Sequence, residues 1–322
     1  MNRSLAHHLR RTRGWHLAAA LVVALVACGA PAPGSLPMDW QPVAELNADL
    51  PDGVRVFAGR NRSLPLRAWY VRVREPDPRI VTRVALSPDD DRRETASGFA
   101  QRLGACVVVN GGYFRMDLNP ARHVGLLLVD SVMSAPPTPS VLRGERRYPI
   151  ARAALGFSGA GGIDVAWPIL SDGRLLEISS PPAHRPGRPD SLFNPSTARP
   201  WPVREALAAG PALISAGAIA ITADEEVFFG SSIPEVHPRT AAGYTVEGDL
   251  ILLVVDGRQE ASRGVDLPQL ARLRLDLGCG EGLNLDGGGS STLVVNGQLV
   301  NRPAGGSTER EVMSALAVFC EP

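Results

Sequence analysis

The sequence predicts an α/β mixed (α+β) protein, a single domain with a mixed β-sheet core flanked by helices. Short runs such as "WYVRVREP" and "RIVTRVALS" alternate apolar and polar residues, as half-buried strands do. Two other stretches carry paired helix start and stop signals. The 322 residues, 44% of them hydrophobic, suffice for one large core or two small ones.

Arg3, Arg10, Arg11 and Arg13 precede the apolar run "LAAALVVALVAC", too short to span a bilayer as a mature helix. It reads as a signal peptide over residues 1–27. Leu25-Val26-Ala27-Cys28 resembles the bacterial lipobox, which makes Cys28 the expected lipidated residue. "GAPAPGSLP" then supplies a Pro/Gly tether over residues 28–50. The expectation is an exported chain, held to a membrane of the bacterial cell envelope by its lipid.

The remaining residues, 51–322, are expected to form the domain. After the first two strands, "TASGFAQRLG" reads as a short helix with Thr95 as N-cap and Gly104 as its stop. "ACVVVNGGYF" follows as a buried strand ending in Asn-Gly-Gly. "VGLLLVDSVM" and "AALGFSGAGGIDVAW" suggest further strands. Proline density from about 179 to 202 excludes helix or central strand, so this is a surface excursion or a linker. "AGPALISAGAIAI" and the continuously apolar "DLILLVVDGR" read as strands, the second a central one. "DLPQLARLRLDLG" is a helix with Asp266 as N-cap, Pro268 in its first turn and Gly278 as its stop. "GLNLDGGGSS", "TLVVNGQLVN" and a final strand "SALAVF" complete the chain. Helix, Leu-Gly, cysteine, strand and polar-Gly-Gly occur twice, over Phe99–Gly112 and Leu270–Gly288. Such an echo suits two units whose strand ends open on one cleft, although helix–Gly–strand is also a common construction.

Composition removes several function classes. The net charge is zero, so nothing favours a nucleic-acid partner. Every basic residue is arginine. No lysine Schiff base or Walker-type phosphate lysine is available, and an anion must be met by arginine forks or backbone N–H groups. Cys106, Cys279 and Cys320 show no zinc-like spacing. A Cys279–Cys320 bridge and buried free thiols both remain open. No metal or other cofactor is expected.

Chemistry concentrates near Asp286. Gly287, Gly288 and Gly289 let backbone N–H groups converge on an anion, and Ser290 and Ser291 add neutral donors. "VVDGRQE" places Asp256 and Arg258 just past a buried strand. "HPRTAAG" offers His237 and Arg239, "NGGYF" offers Asn110, and "STEREV" offers Arg310.

Together with "AGPALI", "LLVVDGRQEASRGVDLPQLARLRLDLGC", "LNLDGGGSSTLVVNG" and "NRP…EREVMSALAVF", these motifs resemble the phosphodiester glycosidase family, over roughly Cys106 to Phe319. The resemblance implies one mixed domain of that family's type and hydrolysis of a sugar-1-phosphodiester at its anomeric C–O bond. It carries polar site positions onto Asn110, Arg239, Asp256, Arg258, Asp286 and Ser290, with Arg310 less firmly placed. No role is carried onto His237. Asp286 is then expected on the sugar side, and Arg239, Arg258 and the Gly287–Ser291 nest on the phosphate. Asp256 would be a second carboxylate or orient an arginine, and Asn110 would hold a sugar hydroxyl or the attacking water. Envelope glycans are the context such an enzyme would meet. Two other classes compete. A serine hydrolase would use Ser290 or Ser291 with His123, His184 or His237 as base. A non-catalytic lipoprotein would hold a glycan in the same cleft.

Overall fold

The computed structural model describes residues 36–74, 77–159, 162–190 and 198–320. The signal peptide and Cys28 lie outside these residues. From residue 36 onward the chain clusters as one compact unit.

Sheets dominate: strand accounts for 43% and helix for 10%. An eight-stranded sheet runs in the order Asp39–Pro42, Val54–Asn61, Leu66–Val73, Leu250–Val255, Arg239–Thr245, Cys279–Asn284, Ala212–Ser215, Ala218–Ile219. A five-stranded sheet orders Gln298–Leu299, Leu293–Val295, Val107–Asn110, Ser314–Cys320 and Ile80–Leu86. A seven-stranded sheet is built on Ile163–Ser171, Ala154–Phe157, Glu205–Ala208 and Leu127–Val129. Every strand pairing recorded among the described residues is antiparallel. The expected flanking helices are present but short, three among the described residues, and the expected mixed sheet is corrected to three large antiparallel sheets with two two-stranded ones. Hairpin connections such as Leu127–Val129 to Val132–Ala135 explain this, because antiparallel neighbours need only a tight turn.

One apolar cluster joins the sheets: Val54, Val71 and Leu252 from the first, Val107, Val109 and Leu316 from the second, Leu127, Leu155 and Leu207 from the third. Leu250–Val255 is buried throughout because both its faces are covered: Leu250, Leu252 and Val254 join this cluster, and Leu253 and Val255 pack against helix Leu267–Asp276.

Helix Ala96–Leu103 starts where Thr95 accepts from the Gly98 amide and stops at Gly104 with φ 66°. Phe99 and Ala100 pack on Val108, Val294 and Ala315 of the five-stranded sheet. Helix Leu267–Asp276 starts with a capping box between Asp266 and Gln269, and Gly278 beyond it has φ 79°. Its Leu270 and Leu273 pack on Leu253, Val255 and Leu213 of the eight-stranded sheet.

Two expectations change. Residues 36–50, taken as tether, belong to the fold: Asp39–Pro42 pairs with Val54–Asn61, and the Asn47 side chain exchanges hydrogen bonds with the Val56 backbone at 2.9 and 2.8 Å. The disulfide joins Cys106 to Cys320, with Cα atoms 5.8 Å apart, and Cys279 is a buried free thiol. The proline-rich excursion leaves strand Arg174–Ile178 and returns at Arg199–Pro200, which pairs with it.

The echoed units lie in different sheets, yet their strand ends meet. The Asp286 amide donates to the Gly111 carbonyl at 3.1 Å, tying the turn after Cys279–Asn284 to the turn after Val107–Asn110.

Candidate active site

A cleft of about 230 Å³ opens at this junction, lined by Tyr113, Ser232, Ile233, His237, Arg239, Arg258, Asp286, Gly287, Gly288, Gly289 and Arg310. Segments far apart in sequence thus bring Arg239, Arg258 and Arg310 around Asp286.

The backbone of Asp286 is fixed on both sides. Its amide donates to Gly111, and its carbonyl accepts from Asn110 Nδ2 at 2.7 Å. The carboxylate Oδ1 accepts from the Gly287 amide at 2.9 Å. Burial pushes this carboxyl up to about 6, against the opposing pull of the Ser290 hydroxyl, the Gly287 amide and the Arg310 charge.

The glycines serve the arginines. A Cβ on Gly288, whose φ is 63°, would sit 3.2 Å from Arg258 Nη2, and one on Gly289 would sit 2.5 Å from Arg310 Nη2. Only glycine lets both guanidinium groups lie against the turn. The expected nest of anion-binding amides is corrected. The amides of Gly287, Gly288, Ser290 and Ser291 donate to Asp286 Oδ1 and to the carbonyls of Pro238, Gly287 and Gly288, so four of five are occupied within the fold. The amides of the turn are thus not free to form the expected nest.

Arg239 is 2% exposed and donates to the carbonyls of Val265 at 3.0 Å, Ile233 at 2.7 Å and Glu235. Burial lowers its pKa to about 10. Arg258 has φ 60°, a left-handed conformation that a non-glycine residue adopts at a cost. Its Nη2 reaches His237 Nδ1 at 3.2 Å. Among the described residues, none of Arg239, Arg258 and Arg310 forms an ion pair.

The family model of phosphodiester glycosidase matches residues 103–319, more than half of the chain. The chain belongs to the phosphodiester glycosidase family. Among its relatives, bovine N-acetylglucosamine-1-phosphodiester alpha-N-acetylglucosaminidase is 28% identical over 277 residues, 82% of this chain and 46% of the relative. The human counterpart is 28% identical over 264 residues, 78% of this chain and 44% of the relative. The chain thus spans about half the length of the curated relatives it matches. The zebrafish catalytic domain of that enzyme, solved auto-inhibited by its pro-peptide, superposes with a TM-score of 0.58 at 22% identity, covering 92% of this chain and 91% of that one. A hypothetical protein from Synechocystis gives 0.61 at 17% identity, covering 89% of this chain and 64% of that one. These two likenesses show a shared fold.

In this member of the family, several expected residues stand behind the cleft. Asn110 is fully buried and its Oδ1 accepts from the Thr240 hydroxyl at 2.6 Å and the Thr292 amide at 3.2 Å. With its Nδ2 on Asp286, the amide is occupied by protein and holds neither sugar nor water. Asp256, 1% exposed, accepts from Asn301 Nδ2 at 3.1 Å and the Arg302 amide at 3.0 Å. Burial raises its pKa, and it braces the 301–302 turn instead of serving as a second cleft carboxylate. Ser290 and Ser291 are fully buried behind the cleft lining, the Ser290 hydroxyl lying near the Asp286 carboxyl. The three histidines a serine hydrolase would need contact other groups: His123 the Gly125 carbonyl, His184 that of Pro149, His237 that of Ser232.

Sequence reasoning missed Tyr113 and, having offered His237 beside Arg239, carried no role onto it. Tyr113 donates to the Gly210 carbonyl at 2.9 Å and accepts from Asn284 Nδ2 at 2.7 Å. Burial, helped by the Asp286 charge, raises its phenol pKa. Its signal was its place directly after the Gly111-Gly112 pair. His237 gave no signal beyond its proximity to Arg239.

Proposed function

We propose that this phosphodiester glycosidase hydrolyses a sugar-1-phosphodiester, N-acetylglucosamine-1-phosphodiester-like, at the anomeric C–O bond. One observation carries the reading: a single carboxyl group of raised pKa in a cleft walled by three arginines, none of which forms an ion pair among the described residues.

The chemistry follows from that asymmetry. A departing phosphate monoester is a stable anion and needs no general acid, so one carboxylate suffices where most glycosidases use two. Arg258 and Arg310 meet the charge that accumulates on the leaving oxygen, each hydrogen bond to a charged group contributing about 2–4 kcal/mol to barrier lowering. Asp286 sits on the sugar side. As base, it takes a proton from water while the water oxygen bonds to C1 and the C1–O bond breaks. The bonding pair leaves with the phosphate. Arg239, whose guanidinium is largely engaged with carbonyls, adds field more than direct contact.

The test is hydrolysis of a sugar-1-phosphodiester in ¹⁸O-water. Label is expected on the sugar C1 hydroxyl and absent from phosphate. Label in phosphate would replace this reading with P–O cleavage.

We further propose, from the arginine-flanked apolar run and the lipobox-like Leu25–Cys28, that the chain is exported, meets an envelope glycan as substrate and is anchored through Cys28. Attachment through this anchor predicts that Cys28→Ala releases the protein from the membrane fraction. Retention of that variant would remove the anchor from the proposal.

A further inference from the structure

His237 touches the cleft through both ring nitrogens. Arginine only donates, so Nδ1, 3.2 Å from Arg258 Nη2, is an acceptor. The Ser232 carbonyl only accepts, so Nε2, 2.8 Å from it, carries the proton. Two partners of opposite kind therefore set one neutral tautomer. The backbone of His237 is clamped as well, exchanging hydrogen bonds with Val265 at 3.1 and 3.0 Å. A ring held at two points, on a backbone held at two more, presents a fixed lone pair to Arg258.

A carboxylate in that place would also hold the guanidinium, but it would cancel the charge. A neutral imidazole holds it and leaves the charge intact. We propose that His237 is a positioning residue that orients Arg258 toward the leaving phosphate without neutralising it. The idea rests on the cleft being an anion site, as in the proposed function. The groups facing the ring favour the neutral form. Burial comes first, and the Arg239 and Arg258 charges add to it, against the Ser232 carbonyl and Glu235, which favour protonation. The strained φ of 60° at Arg258 is what such a clamp retains.

The experiment titrates the full-length protein with inorganic sulfate, whose charge is constant near neutral pH, by calorimetry. His237→Ala is expected to weaken sulfate about tenfold, the loss of one oriented charge-assisted contact. In an Arg258→Ala background the same change is expected to do nothing further. Near-isosteric substitutions separate orientation from charge: His237→Asn stays within about threefold of wild type, while His237→Asp weakens sulfate at least as much as alanine. Thermal melts verify that each variant is folded. Equal effects of Asn and Asp, an undiminished His237→Ala effect without Arg258, or no saturable sulfate binding by the wild type would overturn the proposal. On a sugar-1-phosphodiester, His237→Ala is expected to raise KM more than it lowers kcat. If sulfate behaves as expected and no sugar-1-phosphodiester is turned over, the hydrolase reading falls and the clamp stands.

Discussion

A carboxyl group removed from water keeps its proton to higher pH, and Asp286, at about 6, is such a group. Its folded pKa lies above the value of 3.8 taken for an unperturbed side chain. The native state therefore binds more protons between these values, and stability falls as pH rises from about 4 through about 6. Above that range the ionised side chain costs the fold on the order of 1–3 kcal/mol, after allowance for its partial exposure. Asp286→Asn is accordingly expected to melt a few degrees higher than wild type at pH 8 and at nearly the same temperature at pH 4. The same substitution is expected to lower turnover on the order of 10³-fold. Wild-type turnover should climb as pH passes about 6, the ionised form being the working one. Scanning calorimetry at the two pH values, with a pH–rate profile, decides; a variant that is both active and no more stable at pH 8 removes Asp286 from its role. Asn110 is the opposite kind of residue. Its amide satisfies the Asp286 carbonyl, the Thr240 hydroxyl and the Thr292 amide. Asn110→Ala should cost about 2–4 kcal/mol by leaving them buried and unpaired, seen as a lower urea midpoint at unchanged slope.

At the scale of elements, the glycine turn separates two uses of a missing side chain. A Cβ on Gly287 would meet the Pro238 carbonyl at 2.9 Å, backbone that cannot step aside, whereas one on Gly289 meets only the exposed tip of Arg310. Gly287→Ala is expected to destabilise by about 1–3 kcal/mol. Gly289→Ala should leave stability within about 0.5 kcal/mol yet raise KM by displacing Arg310. Urea unfolding and steady-state kinetics on both variants give the comparison, and equal stability losses would contradict the geometry. The two longer helices were legible in the sequence because caps are local: Thr95, Asp266, Gly104 and Gly278 act on backbone within a few residues. The roles of polar residues at strand ends were not legible. Asn110 ends a buried strand and Asp256, Arg258 and Asp286 follow others, but sequence does not say whether such a side chain turns to the cleft or to a neighbouring loop. Asn301, which holds Asp256, lies 45 residues away, and His237 finds Arg258 across 21. Strand pairing was hidden for the same reason, since period-two alternation marks a buried face and not a partner.

Over the whole molecule the connection between sheets is long-range, and the disulfide is its covalent counterpart. Cys106 precedes strand Val107–Asn110, Cys320 ends the last strand, and 214 residues separate them. All the cleft-lining residues, from Tyr113 to Arg310, lie inside that loop. Cys106 also donates its amide to the Val318 carbonyl at 2.9 Å, and Val107 pairs with Val318. The two strands are therefore held together without the sulfur bond, and the bond acts mainly by restricting the unfolded chain. For a loop of this length the chain-entropy contribution is about 3–5 kcal/mol. Cys320→Ser is expected to lower Tm by several degrees and to remove the dependence of Tm on reductant. Its kcat and KM should stay within about twofold of wild type at temperatures where it is fully folded. Those constants discriminate: Arg258, Asp286 and Arg310 are held by turns and side-chain contacts formed in the folded state, which a change confined to the unfolded chain leaves in place. A Cys320→Ser protein that folds fully and yet has lost the cleft's activity would mean that the disulfide shapes the site directly, through the strand that ends in Asn110.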